Sequence, residues 1–480
     1  MRQPAVIGIL CDGLRPDFVR EACMPRLTAL GGEGVRFLSH RSVFPTSTRV
    51  CTASLVTGVY PRTHGLAGNV VFARALARPR AISTRDHRAL IAWERALGGR
   101  LLGRRTFFQI LGESCVILNT VSPGSAYIWN TRKSAALLNP GLHWPSGFRA
   151  RAESACGAIP AAASPDLERC AYMLDLAADY VLPKMKPRAL IIHLSEPDSL
   201  QHAIGVDGPL HRKTLRGLDR LIGIFLDRLN GTGTGQANVL VMSDHGMSSV
   251  CGMVDLEGEI RAAGIGGMGR DWVVAHSEGA ALFYALRGGI RTLAPVAEFL
   301  RNRPWAGPLF SRGRGGPEGR IPGSFSLGLA GCGGARGPDM LMAFQWEDKG
   351  RGLCYSSVNN KGSGGTHGSC APFELANLCI ASGPAFKKKK EIRRPSGNID
   401  IAPTILSLLG RAAPGGMAGR PLWEGMRGAR ALAEKFRTET FRVEGRSESG
   451  AFLQTLQRTC AGQTRTGDRF FLDFAKLERS

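Results

Sequence analysis

Three nearly uninterrupted apolar runs, each followed within a few residues by an aspartate, dominate the hydrophobic pattern of the chain. The runs lie within residues 5–12, 189–194 and 238–242, and the aspartates are Asp12, Asp198 and Asp244. Apolar runs of this length without polar alternation are typical of parallel strands that are buried on both faces. The pattern therefore predicts three strands of a buried sheet.

Helical periodicity alternates with these strands. Apolar residues recur at steps of three and four from Leu215 to Leu229, which predicts an amphipathic helix. Another helix is predicted to start at Ser164-Pro165-Asp166, where a cap residue, a proline and an acid follow one another. Shorter patterns predict further strands at 114–120, 280–286, 340–346 and 378–382, and further helices at 295–301 and 399–410. This alternation predicts an α/β fold with a doubly wound, mostly parallel sheet and helices on both faces.

Composition adds expectations about the compartment. The 480-residue chain contains no run of 18 or more apolar residues, so no membrane-spanning helix is expected. The first four residues lead directly into an apolar run that ends at an aspartate, a pattern that favours a strand over a signal peptide. The twelve cysteines show no CxxC spacing. We therefore expect a cytoplasmic protein with reduced thiols.

The net charge of +23 is unusual for an enzyme-sized globular chain. Such a field attracts polyanions, and nucleic acid, anionic lipid and phosphorylated small molecules are all candidate partners. The basic residues are spread widely and are not interleaved with the aromatic residues that single-strand binders use. A solvated basic surface without a specific nucleic-acid partner is the favoured interpretation. A nucleic-acid-binding protein with a vestigial catalytic site is the alternative.

The candidate chemistry is concentrated at the ends of the predicted strands. Ligand sites in open α/β sheets lie outside the carboxyl ends of the strands. Beside the three aspartates stand His202 and His245, and a glycine-rich segment presents His367. Three carboxylates and three imidazoles suit two mixed nitrogen and oxygen sites, and this donor set favours zinc over magnesium or calcium. The other histidines are expected to be ordinary structural groups: His40, His64, His87, His143, His193, His211 and His276.

A hydroxyl-rich loop at residues 44–69 is the candidate source of a nucleophile. It leads into an apolar segment that predicts a helix, and it closes on glycine turns and Asn69. A serine or threonine held at a helix N-terminus can act as a nucleophile if a metal or a base activates it. Spacing alone does not select one hydroxyl of this loop.

Six short motifs together resemble one family. They are Asp12-Gly-Leu-Arg-Pro-Asp17, Phe44-Pro-Thr-Ser-Thr48, Thr57-Gly-Val-Tyr-Pro-Arg-Thr-His-Gly65, Glu196-Pro-Asp-Ser-Leu-Gln-His202, Ser243-Asp-His-Gly246 and Gly365-Thr-His-Gly368. Their order resembles the type I phosphodiesterase/nucleotide pyrophosphatase family of the alkaline phosphatase superfamily, notably its bacterial members. The resemblance implies hydrolysis of phosphodiester or pyrophosphate bonds in a small phosphorylated substrate, with two divalent metal ions that are expected to be Zn²⁺.

The resemblance also implies roles for individual residues. Thr48 would be the nucleophile and would share one metal ion with Asp12, Asp244 and His245. The other ion would be held by Asp198, His202 and His367. Asn69 and the backbone N–H beside Thr48 would stabilise a phosphoryl oxygen.

The segment after the nucleophile differs from the family pattern. Animal-type members have Phe-Pro-Asn there, whereas this chain has Arg49-Val50-Cys51. We hypothesise that Arg49 favours substrates with additional negative charge. A phosphomonoesterase or a phosphonate hydrolase of the phosphonoacetate type is therefore the alternative function. A sulfatase is disfavoured because the segment starting at Cys51 lacks the proline and arginine of the sulfatase motif.

The predicted domain organisation is one alkaline-phosphatase-like catalytic domain followed by a tail. The catalytic domain is assigned to residues 1–425, with cap or lid insertions at 70–160 and 250–336. The Gly- and Arg-rich part of the second insertion, 307–336, is predicted to be a loop or lid. Residues 426–480 are predicted to be a basic C-terminal tail that is peripheral or partly disordered.

Overall fold

A nine-stranded mixed sheet lies at the centre of the part of the chain that the structure describes. The computed structural model describes residues 5–112, 114–231, 237–313, 315–350, 352–360, 362, 364–429, 434–448, 450–462 and 469–479. In chain order the strands of this sheet are β1 Val6–Cys11, β2 Val35–Phe37, β3 Cys115–Asn119, β4 Ala136–Asn139, β5 Leu142–Trp144, β6 Ala189–Leu194, β7 Asn238–Met242, β8 Cys379–Ser382 and β9 Lys390–Ile392. Their order across the sheet is β9-β2-β8-β7-β1-β6-β3-β4-β5.

The three predicted apolar strands are neighbours at the middle of this sheet. β1 pairs in parallel with β7 on one side and with β6 on the other, so that Leu10 is opposite both Met242 and His193. The sheet is parallel from β7 through β4, whereas β8 and β5 pair antiparallel with their neighbours. The carboxyl ends of β1, β6 and β7 therefore meet at one edge of the sheet, as the sequence predicts.

Helices cover both faces of the sheet. Val6 and Leu10 of β1 pack into one hydrophobic core, and Ile7 and Ile9 pack into another. The first core includes residues of the helix Thr48–Thr57, and the second includes the apolar face of Pro209–Gly231. The α-helices are Pro25–Glu33, Thr48–Thr57, Pro61–His64, His87–Ala96, Phe107–Leu111, Pro123–Trp129, Phe148–Cys156, Leu167–Leu176, Asp198–Ile204, Pro209–Gly231, Leu256–Ala262, Ala294–Arg301, Pro372–Leu375 and Ile401–Leu408, and Ala177–Met185 is a π-helix. The predicted doubly wound α/β fold is confirmed.

Smaller sheets accompany the central sheet. One has the strands Trp272–Ser277, Ala280–Ala285, Ala306–Ser311, Phe325–Ser326 and Met340–Phe344. Another has Ser248–Val254, Trp346–Glu347, Leu353–Ser357 and Gly365–Thr366. Two-stranded ladders pair Val70–Ala73 with Arg80–Ser83 and His40–Arg41 with Ser396–Gly397. Within the described ranges, no helix is both long and apolar enough to cross a membrane.

The Gly- and Arg-rich segment 307–336 is a loop only in part, because strand residues and one short helical turn interrupt it. Its first residues belong to the buried strand Ala306–Ser311, which pairs antiparallel with Met340–Phe344. Arg336 donates hydrogen bonds to the main-chain carbonyls of Leu101 and His64. These contacts tie the segment to the body of the protein, because an arginine with several donors can satisfy two carbonyls at once.

The C-terminal segment is also different from the predicted peripheral tail. Three long antiparallel strands, Phe436–Ser447, Gly450–Ala461 and Arg469–Arg479, form a sheet that packs on the rest of the chain. Leu456 and Ala475 are completely buried in the main hydrophobic core. The prediction was wrong because charged residues on the exposed face of these strands hide the apolar alternation of the inner face.

Candidate metal centre and nucleophile

Three carboxylates converge at the carboxyl ends of β1, β6 and β7. Asp12 and Asp244 are almost completely buried, and the backbone N–H of Asp198 donates to the carbonyl of Asp12 at 3.1 Å. Within the described structure, both carboxylate oxygens of Asp12, Oδ1 of Asp198 and Oδ2 of Asp244 are buried without a hydrogen-bond donor. Burial, followed by the nearby Asp244 and Asp198 carboxylates, raises the pKa of Asp12 well above its ordinary value. Such a cluster of buried anions requires compensation by a cation or by protons.

Three histidines face these carboxylates with their Nε2 atoms. His202 Nδ1 lies 3.0 Å from the carbonyl oxygen of Gly365, and His245 Nδ1 lies 2.8 Å from that of Gly246. His367 Nδ1 makes the same kind of contact with the Thr46 carbonyl, at 2.6 Å. Since a carbonyl only accepts, each Nδ1 donates its proton, and in the neutral ring Nε2 carries a lone pair. Burial lowers the pKa of His367 well below its ordinary value, which favours this neutral form.

The lone pairs of these rings therefore point at acceptors. His245 Nε2 lies 3.4 Å from both Asp12 Oδ1 and Asp244 Oδ2. Asp198 is 3.5 Å from His202 Nε2 through Oδ2 and 3.6 Å from His367 Nε2 through Oδ1. A metal ion between two groups of buried acceptors would stabilise both groups. A hydrogen bond from Nδ1 to a main-chain carbonyl is typical of histidines that bind metal through Nε2. The residues thus fit metal binding through mixed nitrogen and oxygen ligands, in overlapping groups that include Asp12, Asp244 and His245.

Thr48 is the hydroxyl of the 44–69 loop that faces these groups. It is the first residue of the helix Thr48–Thr57, and its Oγ1 lies 3.2 Å from His245 Nε2. The neighbouring hydroxyls are directed elsewhere. Thr46 bonds to Glu374, Thr52 donates to the Thr48 carbonyl, and Ser54 contacts His64. The structure therefore places one candidate nucleophile of this loop beside the histidine and aspartate cluster.

Asn69 lies against the start of the same helix. Its Oδ1 accepts a hydrogen bond from the backbone N–H of Arg49 at 3.3 Å, and its Nδ2 donates to the carboxylate of Glu278. The Arg49 side chain is buried, and one guanidinium nitrogen lies 4.0 Å from Glu278 Oε1. Burial lowers the pKa of Arg49, and the Glu278 carboxylate opposes that shift. Every predicted site residue thus lies in or beside one cluster.

Comparison with known proteins identifies the family of the chain. The family described as type I phosphodiesterase/nucleotide pyrophosphatase matches residues 6–302, which is more than half of the chain. The chain belongs to this family. Its described fold is similar to a solved structure of human ectonucleotide pyrophosphatase/phosphodiesterase 5, with a TM-score of 0.64, 16% identity and coverage of 89% of this chain and 100% of that chain.

Sequence similarity to curated family members is more limited. A venom phosphodiesterase of Naja atra is 23% identical over 252 residues, covering 52% of this chain and 27% of the relative. Ectonucleotide pyrophosphatase/phosphodiesterase family member 7 of Homo sapiens is 23% identical over 258 residues, covering 52% of this chain and 49% of the relative. The match thus spans about a quarter of the venom enzyme and about half of the human relative.

Two further residues lie at the site, and neither was predicted to belong to it. Glu278 Oε2 lies 3.4 Å from His367 Nε2, and His193 Nε2 lies 3.4 Å from Asp12 Oδ2. His193 Nδ1 accepts a hydrogen bond from the Trp129 indole at 3.0 Å, so its proton is on Nε2, opposite to the tautomer of the three ligand candidates. Burial, with smaller contributions from His245 and Arg49, lowers the pKa of His193 to about 3. Neither residue lies in a recognisable sequence motif. Their contacts with the site involve distant segments of the chain, which a single sequence does not reveal.

A cavity of about 1050 Å³ opens in front of the cluster. The buried residues Thr48, Arg49 and Asn69 line it, and so does the exposed Arg85. None of the described lining residues is Phe, Tyr or Trp. The cavity can therefore hold a small substrate by polar and ionic contacts, without an aromatic surface on which a base could stack.

Proposed function

We propose that this protein is a metal-dependent phosphodiesterase/nucleotide pyrophosphatase that hydrolyses phosphodiester or pyrophosphate bonds through a phospho-threonine intermediate. The observation that carries the proposal is the position of Thr48 Oγ1 next to His245 within a cluster of unsatisfied buried carboxylates. Family membership supports the same reaction class.

Two divalent ions, for which we propose Zn²⁺, would be held by two groups of residues. One group is Asp12, Thr48, Asp244 and His245, and the other is Asp198, His202 and His367. When bound, such ions lower the pKa of a coordinated hydroxyl and neutralise charge that develops on phosphoryl oxygens. The donor set fits zinc because imidazole nitrogens stand beside carboxylate oxygens.

Thr48 would carry the covalent step. Its Oγ1 forms a bond to phosphorus while the bond from phosphorus to the leaving oxygen breaks, and the leaving group takes up a proton. A water molecule then attacks phosphorus from the side that the leaving group vacated, the bond to Thr48 Oγ1 breaks, and Oγ1 regains a proton as the water loses one. Two in-line displacements give net retention of configuration at phosphorus.

Asn69 and the N-terminus of the Thr48–Thr57 helix would bind a non-bridging oxygen. In this structure the Arg49 N–H donates to Asn69 Oδ1 and Asn69 Nδ2 donates to Glu278, so both donors would exchange these partners for the phosphoryl oxygen when substrate binds. Donors placed where charge develops stabilise a transition state. A positive helix N-terminus adds to this effect.

A small phosphorylated molecule, either a nucleotide or another phosphodiester, is the proposed substrate. An inactive variant of murine ectonucleotide pyrophosphatase/phosphodiesterase 5, which resembles this chain in fold, has been solved in complex with AMP. The non-aromatic cavity wall and the buried Arg49 favour a second candidate, a phosphomonoesterase or phosphonate hydrolase with the same metal site. An arginine can bind two oxygens of an additional anionic group.

We also propose a reducing, cytoplasmic location. All twelve cysteines are free thiols, and most are buried. Proteins of oxidising compartments commonly pair their cysteines, so this pattern favours a reducing compartment. Fractionation of the source cells, with detection of the protein by antibody, tests the location.

An activity panel tests the function. The zinc-loaded protein and its Thr48→Ala variant are assayed with nitrophenyl phosphate, bis-nitrophenyl phosphate, a nucleotide nitrophenyl ester and phosphonoacetate. The proposal predicts the highest kcat/KM with a diester or the nucleotide ester, and its loss in the variant. Preference for the monoester or phosphonoacetate would favour the second candidate. A flat response to all four would overturn the enzyme assignment.

A further inference from the structure

Glu278 is held in an unusual backbone conformation at the rim of the metal cluster. It lies in the turn between the strands Trp272–Ser277 and Ala280–Ala285 and has a φ of 58°, which non-glycine residues seldom adopt. Asn360 holds this residue from both sides, because its Oδ1 accepts from the Glu278 N–H at 3.2 Å and its Nδ2 donates to the Glu278 carbonyl at 2.8 Å. Such backbone conformations persist where the surroundings fix them and are concentrated at functional sites.

The next residue, Gly279, connects this turn to the candidate metal ligand His367. The N–H of Gly279 donates to the carbonyl oxygen of His367 at 2.6 Å. A Cβ atom at Gly279 would lie 2.6 Å from the backbone nitrogen of Ser369, so the close approach requires glycine. The turn is thereby fixed against the segment that carries His367, and the position of the Glu278 carboxylate relative to that ring is fixed with it.

The Glu278 carboxylate faces the unprotonated nitrogen of His367. Oε2 lies 3.4 Å from His367 Nε2, whose lone pair follows from the contact of Nδ1 with the Thr46 carbonyl. Ligand atoms of His202, Glu278 and His367 lie within 4.8 Å of one another. An acceptor facing an acceptor is unfavourable unless a cation lies between them. The same argument applies to Asp198, which faces His367 from 3.6 Å.

We propose that Glu278 is a fourth protein ligand of the metal ion assigned to Asp198, His202 and His367. This inference rests on the proposed metal site of the function above. A fourth protein ligand raises the affinity of that one site for its ion. Catalytic zinc sites more often have three protein ligands and one open position. The other metal site, at Asp12, Asp244 and His245, does not include Glu278.

Two other contacts of Glu278 do not account for its position. The Arg49 guanidinium is 4.0 Å away, at the limit of an ion pair. The Asn69 amide donates to Oε2, but a hydrogen bond to Asn69 would be satisfied equally by the amide oxygen of a glutamine. A glutamine, however, is a neutral and much weaker ligand for a divalent ion. Glu278→Gln therefore separates ligation from hydrogen bonding.

The experiment measures metal retention directly. Wild type, Glu278→Gln and Glu278→Asp are loaded with zinc and dialysed against graded concentrations of a chelator, and bound metal is counted by mass spectrometry. Glu257→Gln is the matched control, because Glu257 lines the same cavity but pairs with His276 and Arg261. Unfolding curves in excess chelator confirm that each variant folds.

Wild type and Glu257→Gln are expected to retain two ions under conditions in which Glu278→Gln retains one. The affinity for the more weakly held ion should fall at least about 10-fold, since even an indirect partner of a ligand is worth that much. Glu278→Asp keeps the charge and should lie between the two. The absorption spectrum of the cobalt-loaded protein should change in Glu278→Gln and not in the control.

Other results would overturn the inference in distinguishable ways. Two ions retained equally by wild type and Glu278→Gln, with unchanged cobalt spectra, would show that Glu278 only holds Asn69. Loss of both ions together in Glu278→Gln would show a general structural role. Absence of metal binding by wild type would overturn the proposed metal site itself, and the inference with it.

Discussion

Thr48 Oγ1 lies 3.2 Å from His245 Nε2, although 197 residues separate them along the chain. His245 Nδ1 donates to the Gly246 carbonyl, so Nε2 accepts and the Thr48 hydroxyl donates in this contact. The nucleophile candidate thus touches a ligand candidate through the atom that a metal ion would use. This contact joins the two chemical roles that the proposed reaction requires.

Removing the Thr48 hydroxyl should abolish turnover without unfolding the protein. Thr48→Ala is expected to lower kcat by on the order of 10³ or more, because a covalent route is lost while binding remains. Thr48→Ser keeps the nucleophile and should keep measurable activity. Steady-state kinetics on the best substrate of the panel check this.

Thr52→Ala is the matched control for the nucleophile. Its hydroxyl donates to the Thr48 carbonyl one turn earlier in the same helix and does not face the cluster. This variant should keep most of the wild-type kcat. Equal losses in Thr48→Ala and Thr52→Ala would indicate damage to the helix and would contradict a nucleophilic role.

Arg49 should contribute most with substrates that carry additional charge. Arg49→Ala is expected to lower kcat/KM for a phosphomonoester by about 10-fold more than for a diester, since one charge-assisted hydrogen bond is worth about 1.5–3 kcal/mol. Arg85→Ala at the exposed cavity wall is the control and should have a smaller effect. Equal losses on both substrates in Arg49→Ala would exclude a role in charge selection.

His64 links the stability of the nucleophile loop to pH. Burial, with a smaller contribution from Arg336, lowers its pKa from 6.5 to about 3 in the folded protein. The unfolded chain therefore binds a proton between these values that the folded chain does not bind. The contribution of His64 to the free energy of unfolding is therefore highest above pH 6.5. Between pH 6.5 and the folded-state pKa, this group lowers that free energy by about 1.4 kcal/mol for each unit by which the pH falls.

Urea unfolding of wild type and His64→Gln at pH 8 and pH 5 measures this effect. Both proteins are examined in excess chelator, so that metal binding does not add to the pH dependence. The free energy of unfolding should fall less steeply with decreasing pH in the variant. Identical pH dependence in the two proteins would show that His64 does not carry this proton.

The C-terminal sheet should stabilise the catalytic unit through one buried ion pair. Arg469 binds both oxygens of the completely buried Asp400, at 3.0 and 2.9 Å, and also contacts Glu434. Arg469→Met leaves the Asp400 charge uncompensated and should cost about 3–5 kcal/mol of unfolding free energy. Denaturant unfolding checks the value.

A surface arginine provides the comparison. Arg149 pairs with Glu153 one turn along a helix, and both are partly exposed. Arg149→Met should cost less than about 1 kcal/mol. If Arg469→Met were equally mild, the C-terminal sheet would be only loosely attached to the rest of the chain.

The central sheet could be predicted because its strands are nearly uninterrupted apolar runs. β1, β6 and β7 are buried on both faces, and their sequences show it directly. The aspartates that follow them mark the carboxyl edge, where α/β folds bind ligands. The helix at Pro209–Gly231 could be predicted for the same reason, since its buried residues recur with helical spacing.

The remaining features depend on contacts that one sequence does not display. The C-terminal strands have one polar face. Charged residues such as Arg442 and Glu444 flank the buried Val443 in the sequence, so the apolar pattern is not evident there. Glu278 and His193 join the site only because separate strands bring them to His367 and Asp12. The segment 307–336 is rich in glycine and arginine, a composition typical of a loop. Its Arg336 nevertheless donates hydrogen bonds to the main-chain carbonyls of two distant buried residues.

The stereochemical course of hydrolysis tests the central claim, that Thr48 attacks phosphorus before water does. A P-chiral phosphorothioate diester is hydrolysed in isotopically labelled water by the zinc-loaded protein, and the configuration of the product is determined. Two displacements through phospho-Thr48 predict retention of configuration. Inversion would mean a single direct attack by water and would contradict the account.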